Sequence, residues 1–169
     1  MQLFKNNKNT IYIGLGSNIG DCLQNLKTAV SLVKKYFETD VVMSSVYRSE
    51  PVELTEQPWF LNQVVMINPK QMLLPSQVLA ILKEIEAEMG REPSVRYGPR
   101  LIDLDLLFYQ DWVMESSFLT IPHPKIVERS FVLYPLLELA PDFKHPKFKK
   151  TVTEILKEVA DKLSFCEKI

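Results

Sequence analysis

Residues 11–37 read IYIGLGSNIGDCLQNLKTAVSLVKKYF, and this stretch sets the fold. Ile11, Ile13 and Leu15 alternate with Tyr12 and Gly14, the period-two pattern of a half-buried strand. Residues 14–20 form a glycine-rich turn, and Asp21 follows as a helix N-cap with Gln24 three residues on, a variant of the capping box. Leu23, Leu26, Val30, Val33 and Phe37 then recur at helical spacing and give an amphipathic helix.

Working outward, the β-branched alternation of residues 41–47 predicts a second strand and residues 60–67 a third, closed by Pro69. Between them lies an acidic, proline-flanked loop, residues 49–58, longer than the usual ~4–6 residues. Pro75 opens a second helix, with Val78, Leu82, Ile85 and Met89 on its buried face and Gly90 as its terminator. A long loop, residues 91–100, leads to a fourth strand over 101–109. Gln110 and Asp111 turn the chain into 112–114, and 118–121 is a further strand. After the Pro122-His123-Pro124 corner, residues 126–139 read as one helix stopped by Pro141, and 151–163 as a closing surface helix. The order β-α-β-β-α-β predicts an α+β fold, a ferredoxin-like α/β sandwich with a mostly antiparallel sheet and additional elements. Residues 1–169 are expected to form a single domain.

Composition narrows the function. Hydrophobic residues make up 46% and charged residues 24%, which excludes a disordered chain. A formal charge of −1 argues against broad nucleic-acid binding. Cys22 and Cys166 are too few for a disulfide framework and fit a reducing compartment. The polar first ten residues lack the apolar core of a signal peptide, and no apolar run approaches the ~20 residues that span a bilayer. The expectation is a cytoplasmic monomer without a membrane or nucleic-acid partner.

Asp103-Leu104-Asp105 is the sharpest chemical feature. On a strand these carboxylates share a face, roughly 6.5–7 Å apart at Cα. Leu101 joins that face, while Ile102, Leu104, Leu106 and Phe108 make the opposite, core-facing row. Two like charges so placed repel unless divalent cations or arginines relieve them. Hard oxygen ligands without a Cys/His cluster favour Mg²⁺. The chain has five arginines, and Arg91, Arg96 and Arg100 all fall in the loop just before these acids. Guanidinium forks grip phosphate oxygens bidentately, so the loop suits a polyphosphate; the same arginines could also simply neutralise Asp103 and Asp105. The glycine-rich turn is a poor dinucleotide fingerprint, because its spacing is G-x-G-x-x-x-G and the next strand ends in Tyr47-Arg48 rather than an acid. Phe60 and Asn62 share a strand face and offer a planar heterocycle both stacking and an amide. His123, Arg129 and Phe131 are further candidates, each individually unspecific.

Together, IYIGLGSNIG (11–20), PWFLNQVV (58–65), GREPSVRYGPRLIDLDLL (90–107) and IPHPKIVERSF (121–131) resemble the 6-hydroxymethyl-7,8-dihydropterin pyrophosphokinases of folate biosynthesis. The likeness runs in order from about residue 11 to 143. It implies transfer of pyrophosphate from ATP to the pterin's hydroxymethyl group, with release of AMP. Asp103 and Asp105 would hold two Mg²⁺ ions, and Arg91, Arg100, His123 and Arg129 would bind the ATP phosphates, Arg91 and Arg100 being catalytic. Asn62 would read the pterin edge between Phe60 and Phe131, with backbone groups of Glu50, Pro51 and Val52 completing that pocket. Loops 49–58 and 91–100 resemble family loops that close over substrates. Three departures stand out: Pro93 replaces a frequent second arginine, Phe60 a frequent Tyr, and Tyr97 a frequent Trp. A two-metal nucleotidyltransferase and a non-catalytic pterin- or nucleotide-binding module are the alternatives.

Overall fold

The structure, a computed structural model, describes residues 9–92 and 97–169. The expectations attached to Pro93 and Arg96 lie outside the described residues. Strand β1 (Ile11–Ser17) runs through the centre of the main sheet. Helix α1 (Cys22–Phe37) follows, then the short strands β2 (Val41–Met43) and β3 (Tyr47–Ser49), strand β4 (Phe60–Ile67), helix α2 (Pro75–Glu88) and strand β5 (Asp103–Tyr109). The sheet order is β5-β1-β4-β3-β8, with β2 also on β4 and β8 formed by Cys166–Lys168. Every pairing is antiparallel, so the β-α-β-β-α-β core is ferredoxin-like as predicted.

Helices α1 and α2 cover one face. Ile11, Ile13 and Leu15 meet Leu26, Val33, Leu82 and Ile85 there, all at most 2% exposed. Each such side chain contributes about 1.5–3 kcal/mol relative to exposure. Helix α1 buries Ala29 on this stripe, whereas Leu23, expected there, is 44% exposed at the first turn. Asp21 caps α1 by accepting from the Gln24 N–H at 3.0 Å. The Gln24 side chain donates to Thr28 instead of reaching back, so only half of the capping box forms. The hairpin of β6 (Met114–Glu115) and β7 (Thr120–Ile121) stands beside β5.

The opposite face is covered by α3 (Ser130–Leu139) and α4 (Val152–Val159), which enclose Tyr12, Val64, Leu107 and Phe108 with Val132, Leu136, Val152 and Ile155. The result is a three-layer arrangement, helices on both sides of the sheet. Thr151 and Glu154 exchange the two hydrogen bonds of a full capping box, which fixes where α4 begins.

Several boundaries differ from the sequence expectation, each for a local reason. The predicted strand 41–47 breaks at Ser44, whose Oγ accepts from the Val64 N–H, while the next amide, Ser45 N–H, donates to Glu138 at 2.7 Å. The fourth strand starts at Asp103, not 101. It also carries a bulge: Ile13 faces Leu106 but Tyr12 faces Phe108, leaving Leu107 as the extra residue. Phe108 therefore shifts to the face of Tyr12, and Tyr109 takes the place among Ile11 and Ile13 that the alternation assigned to Phe108. The single helix expected over 126–139 is a 3-10 turn (Ile126–Glu128) and then α3, separated by Arg129 with extended backbone at φ −117°, ψ 107°. The closing helix is likewise shorter, α4 passing into a 3-10 turn (Ala160–Lys162) before the unforeseen edge strand β8.

Candidate active site

The cleft lies on the α3 side of the sheet, about 470 Å³ in volume. Its floor is β1 itself. The turn expected from Gly14 is still strand, and Gly14 and Gly16 lie between Asp105 and Asp103 of β5 and Val64 and Asn62 of β4. A Cβ at Gly16 would sit 3.3 Å from Asn62 Oδ1, and one at Gly14 would sit 3.4 Å from the Leu107 side chain. Absence of side chains there keeps the floor low enough for a ligand to lie across the sheet.

Asp103 and Asp105 both face this cleft, as their spacing predicts. Asp103 is held by two guanidinium groups: Arg91 Nη1 at 2.7 Å from Oδ1 and Arg100 Nη1 at 2.7 Å from Oδ2. Arg129 Nη1 lies 3.5 Å from Asp105 Oδ2. The arginines thus offset the charge of both acids. Burial, then the charge of Asp103, pushes the Asp105 carboxyl above its ordinary range, against the opposing pull of His123 and Arg129. An Asp so destabilised as an anion is one that an added cation would favour.

Among the described residues, no group of three or more His, Cys, Asp or Glu is placed to hold a metal by protein ligands alone. The donor set nonetheless fits Mg²⁺, which typically takes one or two carboxylates and completes its shell with water and substrate phosphates.

The remaining sequence-derived candidates converge on the same cleft: Glu50, Pro51, Val52, Phe60, Asn62, His123, Arg129 and Phe131 all line it. Asn62, 5% exposed, donates through Nδ2 to Ser49 Oγ at 2.9 Å. That bond fixes the amide so that Oδ1 turns toward Gly16. The Arg129 guanidinium sits over the Phe131 ring, 5.5 Å from its centroid. His123 Nδ1 accepts from the Lys125 N–H at 3.3 Å, so the neutral ring carries its proton on Nε2. Burial keeps His123 below its usual pKa even though Asp105 pulls it up.

Three residues of this site were not legible as such in the sequence. Glu86, 3% exposed on α2, accepts from the Leu104 N–H at 2.7 Å and pairs with both Lys83 and Arg91. Asn18, 3% exposed, joins three segments: its Nδ2 donates to Gln57 Oε1 and Pro58 O, each at 3.1 Å, and its Oδ1 accepts from the Arg100 N–H at 2.8 Å. Glu53 receives Lys125 Nζ at 2.6 Å and Arg129 Nη2 at 3.5 Å, and these cations hold its carboxyl below the ordinary range although burial opposes them. Glu86 could have been suspected as the one acid on the apolar side of its helix; Asn18 and Glu53 carried no such signal. Lys125 also lies over the Tyr97 ring, 4.9 Å from its centroid, so this aromatic position does stack on a cation.

Sheet and cleft together mark a class: an antiparallel ferredoxin-like sheet with paired carboxylates, arginines, aromatic rings and a buried amide lining one cleft. The family is then fixed by comparison. The sequence profile of the 7,8-dihydro-6-hydroxymethylpterin-pyrophosphokinase family matches residues 12–141, and the chain belongs to that family. It is 38% identical over 149 residues to the 2-amino-4-hydroxy-6-hydroxymethyldihydropteridine pyrophosphokinase of Aquifex aeolicus, covering 88% of this chain and 91% of that one. Its counterpart of the same name in Bacillus subtilis is 43% identical over 132 residues, 78% of each chain. The mitochondrial folate synthesis bifunctional protein of Pisum sativum is 46% identical over 76% of this chain, which spans 25% of that longer protein. Among solved structures, wild-type Plasmodium falciparum HPPK-DHPS with pterin and p-hydroxybenzoate superposes with a TM-score of 0.72 at 18% identity over 99% of this chain. The chain spans 44% and 48% of two such solved chains, and at this identity the likeness carries the fold alone.

Proposed function

We propose that this chain catalyses the reaction for which its family is named: transfer of the β,γ-pyrophosphoryl group of ATP to the hydroxymethyl oxygen of 6-hydroxymethyl-7,8-dihydropterin, releasing AMP. The observation that carries this is the side-by-side placement of Asp103 and Asp105 in a cleft that Arg91, Arg100 and Arg129 line together with Asn62, Phe60 and Phe131. The carboxylates and guanidinium groups suit a triphosphate, and the amide and rings suit a flat heterocycle.

In this reading Asp103 and Asp105 would hold two Mg²⁺ ions, whose chemistry would be neutralisation of the phosphate charge. Arg91 and Arg100, which pair with Asp103 here, turn to the phosphate oxygens when the nucleotide binds and leave the carboxylate free to ligate. Arg129 and His123 contact the phosphates from the opposite wall, His123 as a donor through its Nε2 proton. Asn62 reads the pterin edge with Oδ1 while Ser49 holds its Nδ2, and Phe60 and Phe131 flank the rings. Backbone groups of Glu50, Pro51 and Val52 close the pocket. The pterin hydroxyl oxygen attacks the β-phosphorus and gives up its proton to solvent, the bond from that phosphorus to the α,β-bridging oxygen breaks, AMP leaves with that oxygen, and rate comes mainly from alignment and electrostatics. All of these side chains belong to one chain, so the site calls for no second copy. Among the described residues no helix is long and apolar enough to cross a membrane.

The test is to incubate the protein with Mg²⁺, ATP and reduced hydroxymethylpterin and quantify nucleotides. AMP appearing in equal amount to pterin consumed supports the reading. Free pyrophosphate instead would point to nucleotidyl transfer, and binding without turnover to a non-catalytic module.

A further inference from the structure

We infer that the segment leading into β8 positions the pterin side of the cleft, acting through Phe165; the role rests on the reaction proposed above. The family match ends at residue 141, yet the chain beyond it returns to the site. The Phe165 N–H donates to Glu50 Oε1 at 3.1 Å, and the Phe165 ring tilts against Trp59 with centroids 5.8 Å apart. These contacts hold the first and last residues, Glu50 and Trp59, of the connection between β3 and β4. One residue earlier, Ser164 Oγ lies 3.2 Å from Ser130 Oγ, between Arg129 and Phe131 in sequence. One residue later, Cys166 faces Ser49 in the β3–β8 ladder, the same Ser49 whose Oγ fixes Asn62.

The burial pattern separates this role from ordinary core packing. Phe165 is 50% exposed and Trp59 45% exposed, so little of their contact is repaid as buried area. Its effect is directional: a loop without regular structure pays a conformational cost on ordering, and anchors at Glu50 and Trp59 remove part of that cost before the pterin arrives. The loop meets the phosphate side through other residues, Glu53 with Arg129 and Gln57 with Asn18, and those bonds do not involve Phe165. Loosening the anchor should weaken pterin binding and spare ATP.

Phe165→Pro removes both the N–H donor and the ring, whereas Phe165→Tyr keeps both. The expected result is a KM for pterin raised about tenfold in the proline variant, the loss of one hydrogen bond and one ring contact. The KM for ATP stays within about twofold of wild type, and the tyrosine variant matches wild type in both. Hydrogen exchange on the proteins without substrate gives a readout independent of turnover: the amides of Glu50, Val52 and Glu53 exchange faster in Phe165→Pro while those of β1 do not change. An unchanged pterin KM with unchanged exchange, or a parallel rise in both KM values, overturns the inference. Absence of AMP formation by the wild-type protein sinks the proposed reaction instead, and the exchange result then still decides whether the anchor exists.

Discussion

Glu86→Ala isolates the scaffold behind the phosphate-side arginines. Glu86 is 3% exposed and its Oε1 accepts from the Leu104 N–H at 2.7 Å. Truncation leaves that amide on β5 without its acceptor, a cost of about 1–3 kcal/mol. The Lys83 partner is half exposed and adds little, about 0–0.5 kcal/mol. Arg91 is 25% exposed, keeps Asp103 after the change, and loses one charge-assisted bond worth about 1 kcal/mol after screening. The sum is about 2–4.5 kcal/mol. Glu86→Gln retains an oxygen for Leu104 and should cost only about 1 kcal/mol, the charge alone. Urea unfolding at neutral pH, comparing midpoints at constant slope, measures both. The same variants should raise the KM for ATP, because Arg91 loses the contact that aims it. A Glu86→Ala cost below about 1 kcal/mol, or equal costs for both variants, would refute the reasoning that the Leu104 amide depends on this carboxylate.

Three further outcomes follow from other parts of the structure. Asp105→Asn removes an acid whose ionised form is disfavoured by burial and by Asp103; the metal-free protein should melt at a higher temperature while turnover falls at least about a hundredfold, checked by calorimetry and AMP release. Asn62→Ala should raise the KM for pterin far more than that for ATP, and Gly16→Ala should act the same way more weakly, since its Cβ would press Asn62 Oδ1 from 3.3 Å. His145 is buried, accepts from the Lys147 and Phe148 N–H groups through Nδ1, and has its pKa lowered to about 4 by burial. A depressed folded-state pKa contributes stability that is complete above the unfolded value near 6.5 and is lost as pH falls toward 4. Unfolding free energy should therefore drop about 1–2 kcal/mol from pH 7 to pH 5 through this group, and His145→Gln should remove that part of the slope in denaturant titrations.

The elements with clean periodicity were legible in the sequence. Val78, Leu82 and Ile85 point where their spacing puts them, and Asp103 and Asp105 share a face because strand period is a local property. The bulge at Leu107 was hidden because Leu106-Leu107-Phe108-Tyr109 is apolar throughout, and a continuous apolar run carries no phase. Gly14 and Gly16 looked like turn residues because glycine is the usual turn former; only the pairing with β4 and β5 shows that they floor a cleft. The break at Arg129 and the strand β8 depend on partners far along the chain, Asp105 and Glu53 in one case and β3 in the other. Asn18 and Glu86 illustrate the same limit for polar groups. Their importance lies in the backbone amides they satisfy, and a sequence names the side chain but not the amide it meets.

The most direct measurement is a ³¹P NMR time course with Mg²⁺, ATP and reduced hydroxymethylpterin, run for the wild-type protein and for Asp103→Ala and Asp105→Ala. The account predicts AMP and a pterin diphosphate rising together with the wild-type protein, and neither product with folded variants. Inorganic pyrophosphate as the product, or near-wild-type rates without either carboxylate, would contradict it.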